Sequence, residues 1–570
     1  MPLEFTPEQL AIFDFVSKGS GHGTIDAVAG AGKTTTIMES ASYVPQNNDM
    51  LFCAFNKSIA SEIEAKFNET GMNRITVKTI HALGYNILKQ HSTTGEKPLL
   101  SENKFKDILK QPDFQNEVEE SYLHIYKINR LDPNNLDDRS NVNAIRSLKF
   151  LIDSRLVDIC QKFRATLCKN TPEDFFNLVT HFGIFSSIDQ AKSNFKEEVE
   201  EYFHIHDILL KRGIDISQKS MLIDFTDMLF LPYIWQKYPN EKYDFVFIDE
   251  CQDLSKSQFA IALKYCKKTC RILSVGDPYQ SIYGFTGADV QSFERVRVQT
   301  KAKQLPLTVC FRCPKQMITL AKDIRPDISG AKEYNGIIKS INFNEVIDLA
   351  KPNDLIICRV KAPLLILVFK FVDKGIRVKI HQDEATEFIN ELKYLFKQDE
   401  RRTSIPNLNN GFDTIKDAVR SREEYKIEKN AERIVDPTER QLIIRKEKDF
   451  LNEKLEFIHK KYIQWSNNCF TVEDILVKFW KYITADENPI RLSSIHRAKG
   501  LEENRVFILE YDKLPFVRLE MPEWQKVQEL NLKYVAVTRA KKELYLVKEE
   551  QLSNAVDEGN LFDDIFNLLD

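Results

Sequence analysis

Two stretches of this 570-residue chain carry side chains suited to a polyphosphate. The first is Ala27-Val28-Ala29-Gly30-Ala31-Gly32-Lys33-Thr34-Thr35. Gly30 and Gly32 allow the backbone to curl, so that N–H groups from Ala29, Ala31 and their neighbours converge on one point. Lys33 can then reach the β- and γ-phosphates of a bound nucleotide, and Thr34 can offer its hydroxyl to Mg²⁺. The loop opens with Ala27, where the usual P-loop pattern has Gly. The second stretch is Phe245-Val246-Phe247-Ile248-Asp249-Glu250-Cys251-Gln252-Asp253. Asp249 is expected to hold the metal, directly or through water. Glu250 is expected to orient the attacking water and accept its proton.

These groups need rigid elements behind them. Thr24 to Val28 reads as a short buried strand, and Lys33 to Met38 as the start of a helix that adds its dipole to the phosphate loop. The apolar run from Asp244 to Ile248 suits a central parallel strand covered on both faces. Carboxylates at its C-terminal end would face the crevice where open α/β sheets bind ligands. Asp354 to Arg359 and Glu543 to Val547 give further strand signals, with a helix expected over Pro363 to Lys374. The fold class is therefore α/β.

In chain order, further motifs resemble those of UvrD/Rep-type helicases of superfamily one. Phe5-Thr6-Pro7-Glu8-Gln9 resembles the motif that reads adenine. Cys53-Ala54-Phe55-Asn56-Lys57-Ser58 and Thr79-Ile80-His81-Ala82 resemble DNA-contact motifs. Val275 to Phe285 resembles the third helicase motif, Phe311-Arg312 the fourth, Ser494 to Glu502 the fifth, and Tyr534 to Ala540 the sixth. Motif details look closest to the F-box DNA helicase branch. Only four residues precede Phe5, so no F-box is expected. The resemblance implies two RecA-like parallel-sheet motor domains, each with an inserted, mainly helical accessory domain. It also implies ATP and Mg²⁺ as cofactors. Gln9 would bond the adenine edge, Phe311 would stack on its face and Glu502 would touch the ribose. Gln280 would sense the γ-phosphate, and Arg312 and Arg539 would act on it as arginine fingers. Phe55, Asn56, Thr79, His81, Tyr283, Phe285 and His496 would face DNA. For His81 and His496 a buried structural role stands equally. One departure matters: relatives usually carry an Arg where this chain has Thr286, and that Arg helps couple the phosphate site to DNA.

Composition adds limits. The net charge is −4, from 80 basic and 84 acidic residues, so any basic groove for nucleic acid must be local. Hydrophobic residues make up 43% and charged residues 29%, as in soluble globular chains. No run of about 18 apolar residues suggests a membrane span, and the N-terminus lacks a secretory pattern. An intracellular protein with reduced cysteines is expected. Cys310-Phe311-Arg312-Cys313 is the lone C-x-x-C among ten cysteines, and packing is favoured over zinc.

Residues 1–84 and 221–299 are expected to form the first motor domain, with 85–220 as its helical insert. Residues 300–385 and 489–570 are expected to form the second, with 386–488 inserted. Within the latter, Ser421 to Lys461 reads as one solvated amphipathic helix. The expected activity is an ATP-dependent helicase moving 3′-to-5′ on single-stranded DNA and unwinding duplex in repair, recombination or replication. Its partners would be single strands, single–double-strand junctions and replication or recombination proteins. The sequence leaves oligomeric state open, and a monomer is compatible with it. Two alternatives stand beside it: a translocase that mainly strips proteins from DNA, and a non-motor ATP-gated nucleic-acid-binding switch.

Overall fold

Continuous apolar runs bounded by small or polar residues form two separate parallel sheets in the computed structural model. It describes residues 4–548 apart from 93–94, 136–137, 285–286, 288–290, 397–411, 432–436, 466–470 and 518–520. The chain divides into two compact units, Met1–Val309 with Glu520–Gln528, and Cys310–Leu519 with Glu529–Asp570.

In the first unit six strands lie in the order Ile75–Thr79, Met50–Ala54, Tyr243–Ile248, Cys266–Gly276, Gly23–Ala27 and Lys303–Leu307. Every neighbouring pair is parallel. The run over 243–248 is apolar at consecutive positions because both its faces are covered. Val246 and Ile248 join a core with Leu51, Ile87 and Phe259, while Phe247 packs between Phe52 and Phe245 on the other face. The strands' C-terminal ends share one edge, where the loops after Ala27, Ala54, Thr79, Ile248 and Gly276 emerge.

The insert of this unit is helical as expected. It includes Lys104–Leu109, Glu119–Ile128, Arg139–Ala165, Pro172–His181 and Phe195–Ser220. Helical spacing puts Val199, Tyr202, Ile205 and Leu209 in one buried core with Leu156, Ile159 and Phe175. Buried charges fasten the insert to the segment that re-enters the sheet. Arg164 forks onto both oxygens of Asp224 at 2.8 Å and also meets Asp227 at 2.7 Å. Lys104 reaches Asp227 at 2.6 Å.

His206 lies fully buried in this core, between the rings of Phe163 and Phe175. Neither ring nitrogen has a hydrogen-bond partner. Burial, then the nearby Arg164 charge, push its pKa down to about 3, against a nearby Asp207. Its folded pKa thus lies below its unfolded value near 6.5. The neutral ring's stabilising contribution is complete above about pH 6.5 and is lost as pH falls from there towards 3. His206→Phe should therefore flatten the fall in melting temperature between pH 7.5 and 5 relative to wild type. Parallel pH slopes for the two proteins would show that His206 does not govern this effect.

In the second unit the strand order is Ile337–Asn342, Ala540–Lys548, Glu503–Ile508, Leu355–Cys358, Ile490–Ser494 and Val378–Lys379, again all parallel. The helix Lys361–Asp373 packs Leu367, Phe369 and Phe371 into a core shared with Phe388, Leu455, Phe457 and Phe479.

Three expected boundaries need correction. Position 84 falls inside the helix Ile80–Gln90, which still buries Ile87 and Leu88 beyond it. Position 300 precedes Lys303–Leu307, an edge strand of the first sheet that pairs with Gly23–Ala27. Position 386 falls inside the helix Gln382–Leu395. Ser421 to Lys461 is also not one helix. Phe412–Ala431 ends before Pro437 opens Pro437–Trp465, as suits a residue that lacks an N–H. The two helices run antiparallel, with Lys416 on Glu456, Arg420 on Asn452 and Lys448 on Glu428. Val419, Leu451, Leu455 and Ile458 are buried in the core, so one face is packed rather than solvated. Among the described residues no helix is long and apolar enough to cross a membrane.

Candidate active site

The loop after Gly23–Ala27 turns through two left-handed glycines, Gly30 at φ 67° and Gly32 at φ 76°. Gly32 caps the helix Lys33–Ser40, where a side chain would strain the turn. Ala29 and Ala31 are fully buried. Thr34 and Thr35 occupy the helix's first turn, half-buried and exposed respectively.

Lys33 Nζ lies 3.0 Å from Glu250 Oε1 and 3.2 Å from Oε2. This contact joins the phosphate loop to the end of the strand Tyr243–Ile248. Glu250 adopts the left-handed conformation, φ 51° and ψ 44°, a strained state for a non-glycine residue that recurs at functional sites. Asp249, only 3% exposed, receives the Glu250 N–H on its carboxylate at 2.9 Å. Burial by itself would lower the Lys33 pKa. The carboxylates of Glu250, Asp277 and Asp249 outweigh that and hold it above its ordinary value. Three acidic groups facing one ammonium leave excess negative charge that a divalent cation can balance. Thr34 and Asp249, each next to a member of the Lys33–Glu250 pair, are candidate oxygen donors to Mg²⁺. Among the described residues no group of three His, Cys, Asp or Glu could cage a metal. Magnesium needs none, since it retains waters and takes phosphate oxygens.

Gln280 donates its amide to Asp277 at 2.7 Å and is buried beside it. Gln9 lies against the phosphate loop, where a methyl on Gly32 would sit 3.9 Å from its Nε2. Its carbonyl caps the helix Pro7–Lys18 through Thr6 N–H at 2.9 Å, and its amide donates to Thr36 at 2.9 Å.

The same edge gathers the expected DNA-facing groups of this unit. Phe55 and Tyr283 stack with centroids 5.8 Å apart and planes 22° apart. Asn56 and Thr79 cap the helices Lys57–Glu69 and Ile80–Gln90, accepting N–H bonds from Ile59 at 2.9 Å and Ala82 at 3.2 Å. Half-buried His81 meets the ring of Phe225 edge-on at 6.3 Å, and burial lowers its pKa. Phe225 is exposed, between the two aspartates held by Arg164. A single Phe among 38 carries no sequence signal of exposure. Phe285 and Thr286 lie outside the described residues.

The second unit assembles its own cluster. Arg312 Nε pairs with Glu502 Oε2, and its Nη1 donates to Thr538 O at 3.2 Å. Lys541 holds the other Glu502 oxygen at 2.9 Å. Burial would raise the Glu502 pKa, but Arg312 and Lys541 bring it below the ordinary carboxylate value. Arg539 is 1% exposed and donates to Val535 O at 2.9 Å, Leu501 O at 3.1 Å and Thr538 Oγ1 at 3.4 Å. Burial and then the Arg312 charge press its pKa down. Phe311, next to Arg312 in the chain, is 42% exposed. Lys541 was missed because its role depends on the register of the last strand. Cys310 and Cys313 are buried free thiols, and Cys313 N–H points at Cys310 Sγ at 3.4 Å. His496 is half-buried, with its pKa pushed to about 3 by burial and then Arg359, so it is neutral near pH 7.

Residues 6–301 match the UvrD/REP helicase N-terminal domain, and residues 489–547 match the UvrD-like helicase C-terminal domain. The chain belongs to the UvrD/REP helicase family. Its α/β architecture of two six-stranded parallel sheets with helical insertions is that of the family's two RecA-like motor domains, and the family's enzyme class is the ATP-dependent DNA helicases. A probable DNA helicase II homolog of Mycoplasma pneumoniae is 22% identical, over 95% of this chain and 84% of that protein. F-box DNA helicase protein 1 of Schizosaccharomyces pombe is 23% identical, over 92% of this chain and 55% of that protein. ATP-dependent DNA helicase PcrA of Bacillus subtilis is 23% identical, over 54% of this chain and 38% of that protein.

Proposed function

We propose that this UvrD/REP family member is an ATP-driven motor that moves 3′-to-5′ along single-stranded DNA and unwinds duplex. The observation that carries this reading is the Lys33–Glu250 pair, 3.0 Å across. It brings the lysine proposed to bind phosphate next to the carboxylate proposed to take a proton from water, on the sheet edge that also presents Phe55 and Tyr283. Mg²⁺, held by Thr34 and Asp249, would neutralise charge on the phosphates. Glu250 orients the attacking water, while Lys33 draws the β- and γ-phosphates into the loop. Gln280, fixed by Asp277, senses the γ-phosphate. By the family resemblance Arg312 and Arg539 would act as arginine fingers, Gln9 would bond the adenine edge, Phe311 would stack on an adenine and Glu502 would touch the ribose. Asn56, Thr79 and His81 would contact the DNA strand alongside the aromatic pair, and Phe285 and His496 would be further DNA contacts.

The deciding measurement is ATP hydrolysis with and without single-stranded DNA, followed by unwinding of duplexes with 3′ or 5′ overhangs. Stimulated hydrolysis with unwinding from the 3′ overhang is expected. Hydrolysis indifferent to DNA would favour a mere ATP-gated switch. Stimulated hydrolysis without strand separation would favour a protein-stripping translocase.

The stacked pair gives a separate expectation. Base–aromatic stacking is worth about 1–3 kcal/mol per base. Phe55→Ala should therefore weaken binding to a labelled oligo-dT strand by roughly tenfold, read by fluorescence anisotropy. Unchanged affinity would make Phe55 a packing partner of Tyr283 alone.

A further inference from the structure

Gln252 is fully buried between two loops that carry different parts of the proposed chemistry. Its Nε2 donates to Glu250 Oε2 and, at 3.3 Å, to Asp253 Oδ2. Its Oε1 accepts the Asp277 backbone N–H at 3.1 Å, and its backbone carbonyl accepts the Ser281 hydroxyl at 3.2 Å. The amide orientation is fixed by its partners: a carboxylate at one end accepts, and a backbone N–H at the other donates. The neighbouring strand is shaped to admit it. A methyl on Gly276 would overlap Gln252 Oε1 and lie 2.8 Å from Cys251 Sγ. Asp277 in turn holds Gln280 through one oxygen and the Tyr279 N–H, at 3.1 Å, through the other. Tyr283, stacked on Phe55, follows two residues after Ser281.

The geometry points to Gln252 as a positioning residue that ties Glu250 to the loop bearing Gln280 and Tyr283, so that a nucleic-acid strand on the aromatic pair sets the orientation of the base that activates water. This inference rests on the proposed DNA-stimulated hydrolysis. A glutamine suits the task because one short arm must donate to a carboxylate and accept from a backbone N–H. Glutamate keeps the length and the acceptor but cannot donate to an ionised Glu250. Leucine keeps much of the volume and makes neither bond.

The test compares wild type, Gln252→Leu and Gln252→Glu in steady-state ATP hydrolysis, with and without oligo-dT, from pH 5.5 to 9. Gln252→Leu should lose at least tenfold of the stimulation ratio, with KM for ATP changed less than threefold. Gln252→Glu places two carboxylates together, and such a pair retains a proton to higher pH. Its acid limb in kcat should move up by at least one pH unit, and at pH 9, where both carboxylates are ionised and nothing donates to Glu250, its stimulation ratio should stay as low as that of Gln252→Leu. Simple loss of packing would lower activity without moving that limb. If Gln252→Leu does not fold, the stimulation ratio of Gln252→Glu at pH 9 decides. A stimulated wild type with full stimulation in Gln252→Leu, or in Gln252→Glu at pH 9, overturns the role of Gln252 alone. A wild type that DNA does not stimulate overturns the functional reading beneath it.

Discussion

Lys33→Ala should reduce ATP turnover by about 10²–10³-fold, the cost typical of removing one donor preorganised on developing charge. The ammonium sits 3.0 Å from Glu250, and Asp249 and Asp277 add to the field that keeps it charged. Removing it has two consequences. The β- and γ-phosphates lose their direct cationic partner, and their approach towards three acidic groups loses the charge that compensates it. Nucleotide affinity should fall along with kcat, as read by a fluorescent ATP analogue and by phosphate release. Lys33→Arg should not restore turnover, because a planar fork cannot replace a point charge in a tight loop. Turnover within tenfold of wild type, in a variant whose melting curve shows a folded protein, would remove Lys33 from the chemistry.

The parts of this site differ in how far the sequence revealed them, and the difference is physical. The phosphate loop and Asp249-Glu250 were legible because each follows an apolar strand, and burial on both faces leaves a run of consecutive hydrophobics. The strand Tyr243–Ile248 begins one residue before the expected Asp244 for that reason. Boundaries were less legible. Helices Ile80–Gln90 and Gln382–Leu395 run straight through expected divisions, since composition changes at a domain edge need not coincide with the end of a hydrogen-bonded element. The paired helices 412–431 and 437–465 were hidden by charge. Their exposed faces carry enough Lys, Arg and Glu to mask a buried stripe of Val419, Leu451, Leu455 and Ile458. Relations across sequence were the least legible. That Gln252 reaches Asp277, or that Lys541 reaches Glu502, depends on which strands neighbour each other in the sheet and in what register. Asn56 and Thr79 illustrate the converse: polar residues in expected DNA motifs whose side-chain oxygens already cap helices.

Arg539→Ala is the second variant with a large expected effect. An arginine finger contributes roughly 10³–10⁵ to turnover, so DNA-stimulated hydrolysis should fall by about 10³-fold or more, with nucleotide binding retained. Arg539 is almost wholly buried, and its donors engage Val535 O, Leu501 O and Thr538 Oγ1. Those bonds preorganise the guanidinium, as electrostatic stabilisation requires, but they also make it part of its own unit's packing. Leaving a buried acceptor unsatisfied costs about 1–3 kcal/mol, so some destabilisation of Arg539→Ala is expected from structure alone. Arg539→Lys separates the two contributions: it keeps the charge and some of the packing but loses the fork. If the guanidinium acts on the transferred phosphoryl group, Arg539→Lys should lose nearly as much turnover as Arg539→Ala while melting close to wild type. If the residue serves packing, turnover in both variants should follow the melting temperature, and Arg539→Lys should stay within a few fold of wild type. That second pattern would leave Arg312, paired with Glu502 and hydrogen-bonded to Thr538 O, as the remaining candidate for the finger.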